Sequence, residues 1–449
     1  MLKAFNNTES VNIEMSRKIA LSVAQHGGCA YFVGGFVRDM LMGRQTESPD
    51  IDIEVHGLKP EELEGILSEL GEVISMGISF GVFSLRHYNI DIAMPRIEHA
   101  TGRGHKDFTV FVDPFIGAEN AARRRDFTIN ALMQNILTGE VLDFFGGRDD
   151  LEHGILRHVD DESFAEDPLR VFRCAQFAAR FGFDIAPSTV KLCGTMDVSA
   201  LSKERVFGET EKALLKSPDP SVYFERLSHM GQLAGWFPEI AVCFNMVKGD
   251  GTQSRKKFSG VLAAAAAASG RAADRPGFMC AALSIAIAAG NRPGSTWLKR
   301  ISANHKLLRY CENTAEAASK LLKRFPGRSR YGKSEDKELR LLEIFDAADE
   351  PDDALLLAET VHSISAGTLQ KGVRTGTKDI MMEENRAALR LYKERIARPA
   401  VTGQDLVAAG VIPGPRLGEA VKLGEKLRLS GIQKDEAMRI VLKTFEEGE

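Results

Sequence analysis

Asp50 and Asp52 stand one residue apart in DIDIEV, where each interrupts an apolar run. Just upstream, YFVGGFVRDMLMG sets Gly34 and Gly35 ahead of Arg38 and Asp39. Side chains alternate across a strand, so the two carboxylates face one way while Ile51 and Ile53 pack inward. Like charges so arranged repel each other unless a cation or water lies between them. Oxygen ligands of this kind suit Mg²⁺, which takes one or two carboxylates together with substrate phosphates. Glycines lack a Cβ, so main-chain N–H groups can approach an anion where FVRDMLMG starts a helix. A triphosphate held there would meet amides, Arg38 and a metal ion together. Taken singly, each pattern also describes a turn and a wet sheet edge. Their combination on adjoining strands favours chemistry.

A second constellation lies in AEDPLRVFRCAQFAARFGF, which reads as an amphipathic helix. Leu169, Val171, Phe172, Ala175 and Ala179 form its apolar arc, with Asp167, Arg170 and Arg173 opposite. A plain reading is available: Asp167 caps the helix, Pro168 takes its first position, and the arginines face water. A chemical reading is also available. Cytosine and adenine each present an exocyclic amine beside an unprotonated ring nitrogen. A carboxylate accepts from the first and a guanidinium donates to the second. Uracil and guanine present a carbonyl and a protonated nitrogen there, so the same pair rejects them. Both readings can hold together.

The elements needed to position these groups are legible. Short apolar runs (AYFVGG, DIDIEV, FGVFSLR, NIDIAM, VLDFFGG) alternate with helical patterns such as PEELEGILSEL up to about residue 150, predicting a mixed α/β region. Beyond about 165, Ala- and Leu-rich periodic stretches broken by Pro and Gly predict helix almost throughout. The 449 residues are 44% hydrophobic and 27% charged, enough for about three domains with a sizeable core. No apolar run reaches the ~18 residues of a membrane span, and the N-terminus lacks a secretory pattern. The six cysteines (29, 174, 193, 243, 280 and 311) form no C-x-x-C pair, which fits reduced thiols in the cytoplasm and argues against zinc. Net charge is −4, yet the charge is segregated. KLLKRFPGRSRYGK (320–333) is basic with Phe325 and Tyr331 interleaved, and EIFDAADEPDDALLLAE after it is acidic. Such a division suits one surface that meets phosphates and another that meets water.

V-G-G-x-V-R-D-x-x-x-G followed by D-I-D resembles the head signature of the nucleotidyltransferases that include class II CCA-adding tRNA enzymes and bacterial poly(A) polymerases. The resemblance continues through MPRIEHATGRGHKDF (94–108), RRRDFTINAL (123–132) and EDPLRVFRCAQFAARFGFDI (166–185). It implies an α+β fold: a mixed-sheet head (1–155), then an all-helical neck with the base-reading helix (156–215), body (216–345) and tRNA-binding tail (346–449). It also implies that Asp50 and Asp52 are the catalytic residues and hold Mg²⁺, which activates a terminal ribose hydroxyl against the α-phosphate of an incoming nucleotide. Gly35, Arg38 and Arg125 would bind the nucleotide triphosphate. Asp167 and Arg170, with Arg173 beside them, would read the base of CTP or ATP. Asp91 is a third carboxylate or an ordinary polar strand residue, and Asp126 and Asn130 hold the local fold. Gln176 departs from the family, where arginine is frequent.

The loop 95–108 resembles the segment that governs the switch from C to A addition, with Arg96 and Arg103 as its levers. Its His99 and His105 read as solvated loop residues. Many relatives carry a His-Asp phosphohydrolase domain after the neck, but residues 235–304 contain no histidine, so that activity is not expected. VTGQDLVAAGVIPGPRLGEAVKLGEKLRLSGI (401–432) is similar to the tail that grips tRNA. The resemblance thus implies CCA addition to tRNA. A poly(A) polymerase, a CC- or A-adding enzyme, and a non-catalytic RNA-binding protein are the rivals. The sequence leaves the oligomeric state open.

Overall fold

The computed structural model describes residues 7–44, 50–75, 81–100, 108–245, 250–288, 294–323, 334–367 and 376–446. Two compact units emerge: residues 1–213 with 222–235, and 214–221 with 236–449.

The first unit contains strands β1 (Cys29–Val33), β2 (Ile51–His56), β3 (Val73–Ser75), β4 (Val82–Leu85), β5 (Ile90–Ala93), β6 (Arg96–Ala100), β7 (Phe108–Val112), β8 (Met133–Asn135), β9 (Val141–Leu142), β10 (Ile155–Leu156) and β11 (Asp184–Ile185). Seven of them form one mixed sheet in the order β3-β4-β5-β2-β1-β8-β9. Central β1 is antiparallel to β2 and β8, while β2 runs parallel to β5. The helices that serve this unit are α1 (Asn7–Gln25), α2 (Gly35–Leu41), α3 (Pro60–Leu70), α4 (Ala118–Arg123), α5 (Gly147–His153), α6 (Asp161–Ala165), α7 (Leu169–Phe181), α8 (Pro187–Thr195) and α9 (Lys203–Lys216).

Alternation decides which face does what. Ile51, Ile53 and Val55 point with Ala30, Phe32, Phe83, Ile90 and Ile92 into a core closed by Met15, Ile19 and Val23 of α1 and by Leu63, Ile66 and Leu67 of α3. Each of these side chains larger than alanine contributes roughly 1.5–3 kcal/mol by leaving water. The polar residues between them are thereby forced onto the opposite face. Helix α3 spans PEELEGILSEL, with Pro60 at its first position and the Lys59 amide donating to the Glu62 carboxylate at 2.8 Å.

Two expectations need correction. Within 95–108, read as a loop, β6 forms and pairs with β7 as an antiparallel hairpin, Arg96 opposite Val112. The run RIEHA is too polar to show the apolar alternation of a strand. Pro168 already has helical angles and the Leu169 amide donates to Asp167 Oδ1 at 3.1 Å, so Asp167 caps α7 with Pro168 at its first turn, as the sequence suggested. The polar side of α7 is not a solvated face, however: apart from Arg170, Arg173 and Arg180, which are half-buried, every residue of α7 is buried.

The second unit is helical throughout its described residues beyond Trp236. The alanine run 263–268 lies within the helix Asp250–Ala268, as its propensity demands. Buried Asp353 accepts from the Ala273 and Asp274 amides and from the Tyr310 hydroxyl. A Cβ at Gly277 would come within 2.3 Å of the Tyr310 ring, so only glycine permits that approach. Near the C-terminus, Val401, Leu406, Ala420, Ala437 and Val441 form a separate small core.

Candidate active site

Asp52 leaves β2 on the face opposite the core. Parallel register sets it beside Asp91 of β5. Asp50 precedes the strand, and its carboxylate accepts from the Asn89 amide group at 2.8 Å. Three carboxylates thus gather at one mouth of the sheet. Asp52 is half-buried, and burial raises its pKa; Arg125 opposes that rise, while Asp91 and Asp50 add to it. A divalent cation would relieve the repulsion. Among the described residues no group of three or more His, Cys, Asp or Glu is arranged to hold an ion by itself. As oxygen donors, Asp50 and Asp52 could hold a divalent cation together with water or phosphate oxygens.

Gly34 ends β1 with φ +66° and caps α2, and an added Cβ would lie 3.2 Å from Arg125 Nη1 and 3.4 Å from Asp52 Oδ2. The turn is therefore pressed against both an acid and a base of the site. Arg125 donates to Glu54 Oε2 at 2.9 Å, and His56 Nε2 bonds the other Glu54 oxygen at 2.9 Å. Burial alone would raise the Glu54 pKa, but the His56 hydrogen bond and the Arg125 charge hold it below its usual range. Arg125 Nε is buried without a hydrogen-bond partner. Glu54 and His56 escaped the sequence reading. Their signal was the same-face continuation of the Asp50–Asp52 alternation.

Arg38 is buried, 3% exposed, under the rings of Phe177 and Phe181. Its guanidinium donates to Asn130 Oδ1 at 2.7 Å and to Asp39 at 2.8 Å. Gly35 sits over it, its hypothetical Cβ 3.4 Å from Arg38 Nη2. Asn130 donates to Asp126 at 3.0 Å, and Arg173 donates to the other Asp126 oxygen at 2.8 Å. Burial would raise the Asp126 pKa, but the Arg173 charge and the Asn130 bond depress it. Arg38 on α2 and Arg173 on α7 are thus joined through two short side chains. Asp126 and Asn130 hold the local fold, as their sequence position suggested.

Asp167 and Arg170 do not pair. Arg170 donates to the carbonyls of Ser163 and Arg124, both at 2.7 Å, and burial lowers its pKa. Asp167 accepts from the Leu169 amide at 3.1 Å and from Arg205 Nη2 at 3.0 and 2.9 Å. Arg205, on α9, was not anticipated, because nothing in a charged helix marks one arginine as another element's partner. Gln176 is buried and its amide nitrogen lacks a partner. Arg96 is exposed. Arg103 and His105 lie outside the described residues, as do Phe325 and Tyr331 with most of the basic stretch.

Mixed sheet, glycine turn and carboxylate mouth together define a nucleotidyltransferase-type head. Residues 30–157 match the family described as poly A polymerase head domain, and residues 182–244 match the probable RNA and SrmB-binding site of polymerase A. The multifunctional CCA protein of Acinetobacter baumannii is 40% identical over 223 residues, 48% of this chain and 52% of that protein. The chain spans about half the length of the curated relatives it matches. Its fold resembles that of the Bacillus stearothermophilus CCA-adding enzyme in complex with CTP (TM-score 0.65, 24% identity, 97% of this chain and 98% of that one). It also resembles the Thermotoga maritima CCA-adding enzyme complexed with tRNA (TM-score 0.58, 19% identity, 99% and 100%). The two matched segments, residues 30–157 and 182–244, are thus similar to the head and the RNA-binding segment of polymerase A, and the likeness to the curated CCA protein spans about half of the chain.

Proposed function

We propose that the chain is a template-independent RNA nucleotidyltransferase that builds or repairs the 3′-CCA end of tRNA in the cytoplasm. The observation that carries this reading is the carboxylate mouth of Asp50, Asp52 and Asp91, with Asp52 and Arg125 both lying against the Gly34 turn. In the reaction the tRNA 3′-hydroxyl attacks the α-phosphate of CTP or ATP and pyrophosphate leaves. Asp50 and Asp52 hold Mg²⁺, which when bound supplies Lewis acidity at the phosphate and a lowered pKa for the hydroxyl. Gly35, Arg38 and Arg125 serve the triphosphate. Asp167 accepts from the exocyclic amine of the base. Arg170 donates to its ring nitrogen with the N–H groups that the two carbonyls leave over, and Arg173 supports them from the next turn. Arg205 and the two carbonyls support this division by fixing the two groups separately.

Residues 1–155 act as the head, 156–215 as the neck, 216–345 as a body without phosphohydrolase chemistry, and 346–449 as the tail that grips tRNA. Phosphate contacts from the basic stretch in 291–340 make that grip weaken as salt rises. Among the described residues no helix is long and apolar enough to cross a membrane.

The test is incubation with tRNA lacking CCA and each labelled nucleotide in turn. Two cytidines followed by one adenosine are expected. A long A-tail, arrest after two cytidines, or no incorporation overturns the reading in favour of a poly(A) polymerase, a CC-adding enzyme or a non-catalytic RNA-binding protein respectively.

A further inference from the structure

The cation bonded to Asp167 comes from outside the helix that Asp167 precedes. Arg205 Nη2 reaches both carboxylate oxygens, at 3.0 and 2.9 Å, while the Leu169 amide holds Oδ1 from the other side at 3.1 Å. The nearer arginines are committed elsewhere: Arg170 to the Ser163 and Arg124 carbonyls, Arg173 to Asp126. The Asp167–Arg205 pair is about one-third exposed on each side, 34% and 35%. Pairs this accessible contribute little to stability. What the contact does is geometric. With one oxygen pinned by a main-chain amide and both by one nitrogen, the carboxylate plane cannot turn about its terminal torsion, which is otherwise broad.

We propose that Arg205 is a specificity-determining positioning residue that fixes the Asp167 carboxylate as an acceptor and so sets discrimination against bases that present a carbonyl at that point. This rests on the reading of Asp167 as the base acceptor. A fixed acceptor lone pair welcomes the exocyclic amine of cytosine or adenine. The same lone pair repels the carbonyl of uracil or guanine, and rejection of this kind requires that the repelling group cannot swing away. Without Arg205, Asp167 keeps only the Leu169 amide. Oδ2 is then free to rotate and yield space to a carbonyl.

The test compares the full-length chain with Arg205→Gln and Arg205→Lys. Two readouts are taken: kcat/KM for CTP and for UTP on tRNA lacking CCA, and, independently of turnover, the Kd of each nucleotide. In Arg205→Gln the CTP-over-UTP ratio is expected to fall by about tenfold in both readouts, the scale of one charge-assisted hydrogen bond put out of place. The loss should come mainly through KM for CTP and through new UTP incorporation, with kcat for CTP much less affected. Arg205→Lys, which retains a cation, should recover part of the ratio. An unchanged ratio in Arg205→Gln overturns the inference, whether overall activity is kept or falls equally for both nucleotides, because loss of a purely structural contact weakens both alike. A wild-type chain that incorporates nothing while binding CTP over UTP would sink the proposed reaction and leave the role of Arg205 to the binding ratio.

Discussion

Asp52 and Asp91 are register partners on adjacent parallel strands, two acids brought side by side by the pairing of β2 with β5. Backbone pairing therefore keeps the two like charges on one face and near each other. Asp52, half-buried, has its pKa raised by burial and by both neighbouring aspartates. A carboxyl whose folded pKa lies above its unfolded value binds more protons in the native state. Its favourable contribution is present below the unfolded pKa and is lost as pH rises through the folded one.

Asp52→Asn should accordingly stabilise the metal-free chain at neutral pH, by about 2 °C in Tm. Melts in chelator across pH 4 to 7 check this. The gain should shrink toward the acid end, where the wild-type acid is already protonated. A variant that melts lower than wild type at pH 7 contradicts the account of a strained acid cluster.

Gly34→Ala meets two penalties at once. At φ +66° an L side chain costs about 1–2 kcal/mol. The new Cβ also lies 3.2 Å from Arg125 Nη1 and 3.4 Å from Asp52 Oδ2, so the guanidinium must shift. Loss of kcat/KM for CTP and ATP should exceed the loss in stability, checked by kinetics beside thermal melts. A change confined to Tm would detach the turn from the site.

Arg173→Met leaves Asp126 buried without its main counter-charge. Breaking such a pair costs about 3–5 kcal/mol when fully buried, and about 3 kcal/mol is expected here because Arg173 is one-third exposed. The folded pKa of Asp126 is depressed, so the pair stabilises above the unfolded value and that stability is lost as pH falls through the folded one. Urea titrations should show wild type and variant converging in acid. Parallel curves would show that Asp126 does not depend on Arg173.

Much of this arrangement was legible because it is local. The D-x-D alternation, the paired glycines and the apolar spacing of α3 each lie within one element, and period alone assigns their faces. The rest depends on contacts between distant positions. Glu54 meets Arg125 across 71 residues and Asp167 meets Arg205 across 38, and no local pattern carries that information. Asp167 and Arg170 look like a pair because they share a helical turn, yet Asp167 is held by the Leu169 amide and Arg205, and Arg170 by the Ser163 and Arg124 carbonyls. The hairpin β6–β7 was missed for a related reason: polar side chains on a strand outside the main sheet erase the apolar alternation that betrays strands elsewhere.

Arg38→Met separates two duties of one side chain. Loss of its bonds to Asn130 and Asp39 in a buried setting should cost about 2 kcal/mol, read as a lower urea midpoint. Because the triphosphate is common to all nucleotides, KM should rise equally for CTP and ATP. A rise for one nucleotide alone would tie Arg38 to the base and refute its service to the triphosphate.

The central claim is that Asp50 and Asp52 hold the ion on which nucleotidyl transfer depends. The most direct measurement is incorporation of labelled CTP into tRNA lacking CCA across a Mg²⁺ titration, for wild type and Asp52→Asn, with tRNA affinity determined on the same preparations. Incorporation that saturates with Mg²⁺ in the wild type, and is absent in a variant that still binds tRNA, is the predicted result. Asp52→Asn protein that adds cytidine at a rate near wild type would contradict it.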